Sequence, residues 1–215
     1  MSVFFGESHR RLQDEHGTRR LADRLEAHAH DAFEAPERDF IAGATMVFLS
    51  TVDGNGQPTV SYKGGPPGFV RVTGPSELVL PSYDGNGMFL TLGNLGQNPR
   101  IGLLFIDFEN PHRLRLHGTA ALADDPDLLA RYPGADHVVR VSVERIFVNC
   151  GRYIHRSQGT ALSPHLPDAD GHQPFPAWKR IDLFEGALPA GDEQKVARKG
   201  GTIPLDAYRG EADPG

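Results

Sequence analysis

Between residues 45 and 149 the chain is divided into short apolar stretches by turn-forming clusters, and this rhythm admits few folds. Residues 46–52 (MVFLSTV) are rich in β-branched and aromatic side chains and read as a buried strand. Asp53-Gly54-Asn55-Gly56 then supplies a hairpin turn, with 57–62 as the return strand. A rigid, open Gly/Pro loop at 63–68 leads to a third strand at 69–73. After the turn Gly74-Pro75-Ser76, a fourth strand is expected at 77–82. Met88, Leu92 and Leu95 recur at helical spacing, so a short helix is expected over 87–97, stopped by Asn98-Pro99. Strands at 101–107, 113–122 and 137–149 complete the pattern, with a helix or turn at 124–130. Seven closely spaced strands joined mostly by tight turns predict a mainly β fold: antiparallel, rolled into a barrel, with a few peripheral helices.

The flanks read differently. Residues 7–34 are charged and helical in pattern, with Leu21, Leu25, Ala29 (or Ala32) and Phe33 forming an apolar stripe that should pack on a core; Thr18 could cap this helix and Pro36 should end it. A short turn of helix is expected at 37–42. Beyond Ser157 the text is dominated by Pro, Gly, Asp and Ala, with Phe175, Trp178, Ile181, Leu183 and Phe184 as apolar anchors. The expected organisation is an N-terminal helical segment at 1–40, a barrel domain at 41–156, a wrapping extension at 157–189 and a disordered tail at 190–215.

Composition narrows the classes of function. A net charge of −6 is a poor basis for gripping phosphate backbones, so no nucleic-acid partner is expected. No apolar run approaches the ~18 residues of a membrane span, and the N-terminus MSVFFGESHRR lacks the apolar core of a secretory signal. The single cysteine, Cys150, excludes an internal disulfide framework; it reads as a small buried hydrophobe, and a cytoplasmic location is the expectation. The ten histidines show no metal-ligand spacing, and no metal is expected.

Two local features carry chemistry. The glycine-containing junction Tyr83–Asn94 (YDGNGMFLTLGN) opens the expected helix. Free backbone N–H groups and the positive dipole end there suit an anion, with Asn86, Thr91 and Asn94 as side-chain donors; an ordinary helix start capped by Asn86 would read the same way. Ser61-Tyr62-Lys63-Gly64-Gly65 ends the second strand. Lys63 offers a point charge for a phosphate, or is simply a surface lysine, and the glycines beside it let a flat ligand approach the backbone. Neither a nucleotide-binding P-loop nor a dinucleotide fingerprint is present.

In order and spacing, these segments resemble the pyridoxamine 5′-phosphate oxidase-like family, the FMN-binding split β-barrel proteins. The resemblance is carried by Asp53-Gly54-Asn55-Gly56-Gln57-Pro58, by Ser61-x-Lys63-Gly64-Gly65-Pro66-Pro67-Gly68-Phe69-Val70, by Asp84-Gly85-Asn86-Gly87-Met88, by Gly93-Asn94-Leu95, and by the run from Asn98-Pro99-Arg100 to Phe105. It covers roughly residues 40–155 and implies a homodimer with FMN at the subunit interface. By resemblance, the flavin ring lies along Val60, Ser61, Tyr62 and Lys63, beside Gly64, with Tyr83 shaping the pocket. The phosphate lies near Asn86, Gly87 and Met88, with Lys63 and Asn94 as polar matches. Arg115 could reach the partner's flavin.

The chain also departs from the family. The vitamin-phosphate oxidases proper carry a Ser-Arg-Lys-type motif before the helix, where this chain reads Asn86-Gly87-Met88 without charge, and their substrate-phosphate residues find no match near Arg131-Tyr132-Pro133-Gly134. The fold therefore transfers and vitamin oxidation does not, and the deazaflavin F420 or haem stays open in place of FMN. The expected activity is two-electron transfer between flavin and a small molecule, with no side chain nominated as acid or base. The alternative is a non-catalytic flavin or haem carrier or sensor. The extension after Ser157 could wall the neighbouring subunit's pocket with Trp178 or Phe175.

Overall fold

The structure is a computed structural model that describes residues 2–157 and 162–208. Positions 158–161 of the expected extension and 209–215 of the expected tail lie outside the described residues. The described chain divides into two compact units, one within Met1–Ala161 and one within Leu162–Gly215.

The first unit is built on seven antiparallel strands: β1 Met46–Val52, β2 Pro58–Gly64, β3 Arg71–Val72, β4 Glu77–Tyr83, β5 Arg100–Asp107, β6 His112–Leu122 and β7 Ala135–Val148. Their order in the sheet is β2-β1-β5-β6-β7-β4-β3. Hairpins join β1 to β2 and β5 to β6, while a helix, α4 (Leu90–Gln97), carries the chain from β4 across to β5 on the far side of the sheet. The two edges of the sheet are β2 and β3, and β3 pairs only with Val79 and Leu78 of β4. Ser82 and Tyr83, at the end of β4, thus have no strand on their outer side among the described residues, and the barrel is split there.

Strand register sorts the side chains between two faces. Leu49, Leu103, Leu116 and Ile146 lie in one cross-strand row, are buried, and belong to the main core with Val47, Phe105 and Leu114. The neighbouring row, Tyr62, Phe48, Leu104, Arg115 and Phe147, belongs to the opposite face. Its members are only partly covered, and Tyr62 is exposed. A smaller core of Val79, Leu128, Tyr132 and Val138 fills the far end.

The flanks differ from the sequence expectation. The expected single helix is two, α1 Glu7–Glu15 and α2 Arg19–Ala27, because Gly17 takes a left-handed φ of 65° between them. Thr18 occupies the cap position of α2 without a capping side-chain hydrogen bond. Leu21 and Leu25 do not pack in a core but remain exposed, lining a groove with Phe4, Phe5 and Phe147. Pro36 does not end a helix; it lies in the first turn of α3 (Ala35–Gly43), where its missing N–H has no intrahelical partner to lose. Between α2 and α3, His30 pairs in backbone fashion with Ile146 of β7, and its Nε2 lies 2.8 Å from Glu37 Oε1.

Burial pushes the His30 imidazole down, but hydrogen bonds to Glu37 and to the His28 carbonyl outweigh it, and the net shift is upward from 6.5. A raised folded-state value favours the native state while the ring is protonated. This contribution is fully present below pH 6.5 and is lost as pH rises through the higher folded value. The difference in melting temperature between the protein and His30→Gln is therefore expected to be largest near pH 6 and to shrink by pH 8; a difference that grows toward pH 8 would contradict this assignment.

In the second unit, the segment expected to be a disordered tail contains a helix, Ala190–Arg198. It forms because Val196 is buried and because Asp192 accepts hydrogen bonds from Lys179 Nζ (2.8 Å) and Lys195 Nζ (3.2 Å). Lys179, itself buried, also faces the Phe175 and Trp178 rings.

Candidate functional site

The split between the sheet edges opens a cleft of about 360 Å³. One wall is Ser61, Tyr62 and Lys63 of β2; the other is Ser82 and Tyr83 of β4; Gly85, Asn86, Gly87 and the first residues of α4 close the end. A register shift in the β4–β7 pairing falls between Ser82 and Tyr83, a bulge that re-aims the strand end beside the cleft.

Strand alternation divides the predicted β2 residues. Ser61 and Lys63 pair with Leu49 and Val47 and so share the core side of the sheet, toward α4, where Thr91 Oγ1 donates to Ser61 Oγ at 3.3 Å. Val60 and Tyr62 belong to the opposite face and are exposed. Lys63 is half-buried, with no hydrogen-bond or ion-pair partner among the described residues, and burial lowers its pKa from the usual lysine value. A desolvated ammonium without a counter-ion gains from any anion that reaches it.

The helix beside it begins later than the sequence suggests. Asn86 is not its cap: the Asn86 side chain accepts the Met88 N–H at 3.1 Å in a local turn, and α4 starts at Leu90 with Phe89 in the cap position. The first helical bond runs from the Gly93 N–H to the Phe89 carbonyl (2.7 Å), which leaves the N–H groups of Leu90, Thr91 and Leu92 outside the helix's own bonding. Phe89 reaches this position with φ 50° and ψ 28°, a left-handed conformation that costs an ordinary residue roughly 1–2 kcal/mol. The charge-free helix start is thus Phe89-Leu90-Thr91, of which Phe89 and Leu90 are apolar and exposed.

The structure brings Ser61, Tyr62, Lys63, Tyr83, Asn86 and Gly87 together in the cleft wall. Val60, Gly64, Met88, Asn94 and Arg115 are not part of that wall. Asn94 is buried and spends its amide inside the fold, donating to Thr51 Oγ1 at 3.0 Å. Arg115 lies on the opposite face with Tyr62, Phe48 and Leu104. Ser82, Phe89, Leu90 and Leu92 line the cleft and were not singled out from sequence. Behind Tyr83 stands Arg71, whose guanidinium lies 4.8 Å from the Tyr132 ring centroid and donates to the carbonyls of Gly68 and Arg131. Burial raises the phenol of Tyr83, opposed by the Arg71 charge, and pushes that of Tyr132 to about 12. Cys150, expected to be buried, is exposed.

Electrostatics separates this cleft from two other cavities. A larger one, about 480 Å³, is walled partly by Asp39, Asp107 and Glu109 and by no basic residue, so it repels an anion. The groove of about 420 Å³ at α1 and α2 is mostly apolar, with Glu26 as its one charged wall residue. Of these three cavities, the β2–β4 cleft alone combines a cation that has no partner among the described residues with helix-start N–H groups outside the helix's own bonding. No helix among the described residues is long and apolar enough to cross a membrane.

The chain is similar to HupZ of Group A Streptococcus (21% identity, 59% of this chain and 99% of that one, TM-score 0.46). It is also similar to HutZ, a haem storage protein of Vibrio cholerae (20%, 53% and 93%, TM-score 0.39), and to General Stress Protein 26 of Bacillus anthracis (15%, 51% and 88%, TM-score 0.39). No curated protein matches the sequence. The family described as pyridoxamine 5′-phosphate oxidase matches residues 33–150, more than half of the chain and the whole of the seven-stranded sheet. The chain belongs to the pyridoxamine 5′-phosphate oxidase family and has its split-barrel fold.

Proposed function

We propose that the protein is a homodimeric FMN-binding oxidoreductase that passes two electrons between the flavin and a small molecule. The observation that carries this reading is Lys63: a half-buried cation, unpaired among the described residues, at a cleft also lined by the first residues of α4, whose N–H groups lie outside the helix's own bonding. An anionic phosphate suits both, and the Tyr62, Tyr83 and Phe89 side chains suit a flat ring. When bound, FMN supplies reversible two-electron chemistry, which the protein's nearby charges and N–H groups tune.

In this reading Lys63 and the start of α4 hold the phosphate. Ser61, its hydroxyl fixed by Thr91, and Tyr62 flank the ring, and Tyr83 bounds the pocket. No chain residue needs to move a proton, since positioning alone serves a hydride transfer.

Dimerisation is supported by the partly uncovered face of the sheet. Tyr62, Phe48 and Leu104 form an apolar row with Arg115 at its side, and β2 is an open edge. A second copy covering this face would bury the row and bring Arg115 toward the neighbouring cleft.

Titration of the purified protein with FMN is expected to shift and perturb the flavin absorption bands with one equivalent per chain. Parallel titrations with haemin and with the deazaflavin F420 are expected to give weaker binding; tighter binding of either would replace FMN in the proposal. Steady-state NAD(P)H oxidation by the loaded protein with an added acceptor separates an enzyme from a carrier.

A further inference from the structure

The loop between β4 and α4 contains glycines, yet its most strained position is not one of them. Gly87 takes φ 76°, which glycine tolerates. Two residues later Phe89 takes φ 50°, and it is the one non-glycine residue with positive φ among the described residues. Its ring is not buried in compensation. It is 60% exposed, lacks an aromatic or cationic partner among the described residues, and stands in the same cleft wall as Lys63 and Tyr83. A large apolar ring kept in water on a strained backbone gains free energy when something flat covers it. That cover is a ligand rather than a second copy of the chain, because Phe89 shares a wall with the lone cation, whereas the apolar row suited to a second copy centres on Phe48 and Leu104, which are not part of that wall.

We propose that Phe89 is a stacking platform that selects aromatic ligands for this cleft, taking the flat face of a ring whose anionic end lies at Lys63. The cleft then discriminates by ring as well as by phosphate charge. This rests on the flavin reading for the identity of the ring, but the platform itself follows from Phe89 and the cleft.

The test uses the full chain and two probes, FMN and the fluorescent non-flavin 1-naphthyl phosphate, with melting temperature and solution mass measured alongside. Phe89→Gly removes the ring and relieves the backbone. Phe89→Asn does so with a residue that also tolerates this conformation, and Phe89→Trp keeps a ring. Both ring-deleting variants are expected to melt no lower than the parent and to bind both probes at least about tenfold more weakly, while Phe89→Trp stays within about threefold. Binding of 1-naphthyl phosphate that depends on Phe89, without binding of FMN, would uphold the platform and overturn the flavin reading. Unchanged affinity in Phe89→Gly, or no binding of either probe by the parent, overturns the platform. A shift of Phe89→Gly toward monomer with unchanged affinity also overturns it, assigning the ring to a subunit contact.

Discussion

Gly118→Val is expected to yield little or no folded protein. Gly118 sits in β6 at the register shift opposite β7, and a Cβ placed on it would meet the Ser142 carbonyl oxygen at 2.1 Å, its carbon at 3.0 Å and the Val143 Cα at 3.1 Å. All three are backbone atoms of the neighbouring strand, so relief requires separating β6 from β7, whose pairing runs from Leu114–Val148 to Leu122–Val139 and borders the main core. The cost should exceed about 4 kcal/mol, a large share of the roughly 5–15 kcal/mol that holds a domain together. Gly93→Ala is the control. Gly93 lies within α4 and nothing lies within 4 Å of a Cβ there, so alanine should be neutral or stabilise by up to about 1 kcal/mol. Thermal unfolding followed by circular dichroism checks both; a Gly118→Val protein melting within a few degrees of the parent would contradict the strand pairing described.

Lys63→Glu should have the largest effect on binding. The substitution replaces the unpaired cation of the cleft with an anion facing the same space. Loss of a charge-assisted hydrogen bond costs about 1.5–3 kcal/mol, and repulsion adds to it. FMN affinity should therefore fall by roughly a hundredfold or more, at about 1.4 kcal/mol per tenfold. Lys63→Ala should fall by less, and riboflavin, which has no phosphate, should be nearly indifferent to either change. Because Lys63 has no partner among the described residues to strand, Lys63→Ala should keep the parent's melting temperature. Equal loss of riboflavin and FMN affinity in Lys63→Glu would move the phosphate elsewhere.

The strands were legible because their signals are local. Asp53-Gly54-Asn55-Gly56 sets a tight hairpin whatever surrounds it, and β1 falls on its expected bounds. The third strand shrank to Arg71–Val72 because Phe69 and Val70 enter the core from the loop instead. The start of α4 was not legible: the sequence places Asn86 where a cap would serve, and only the tertiary fold demands a left-handed Phe89. The site shows the same division. Lys63 announces itself as a charge beside glycines, and its neighbour Ser61 follows by strand period. Asn94 looks identical in sequence whether its amide meets a ligand or Thr51, and its contact with Thr51 comes from the packing of α4 on β1. The helix at Ala190–Arg198 was hidden because its support, the part-buried Lys179–Asp192 pair, joins residues 13 positions apart in text that otherwise reads as polar coil.

Native mass spectrometry after gentle purification and addition of FMN reads cofactor and assembly together. The expected species is twice the 23.5 kDa chain with two FMN bound, reverting to the cofactor-free dimer in Lys63→Glu. A single chain carrying no FMN at saturating flavin would contradict both the cleft's assignment and the paired sheet face.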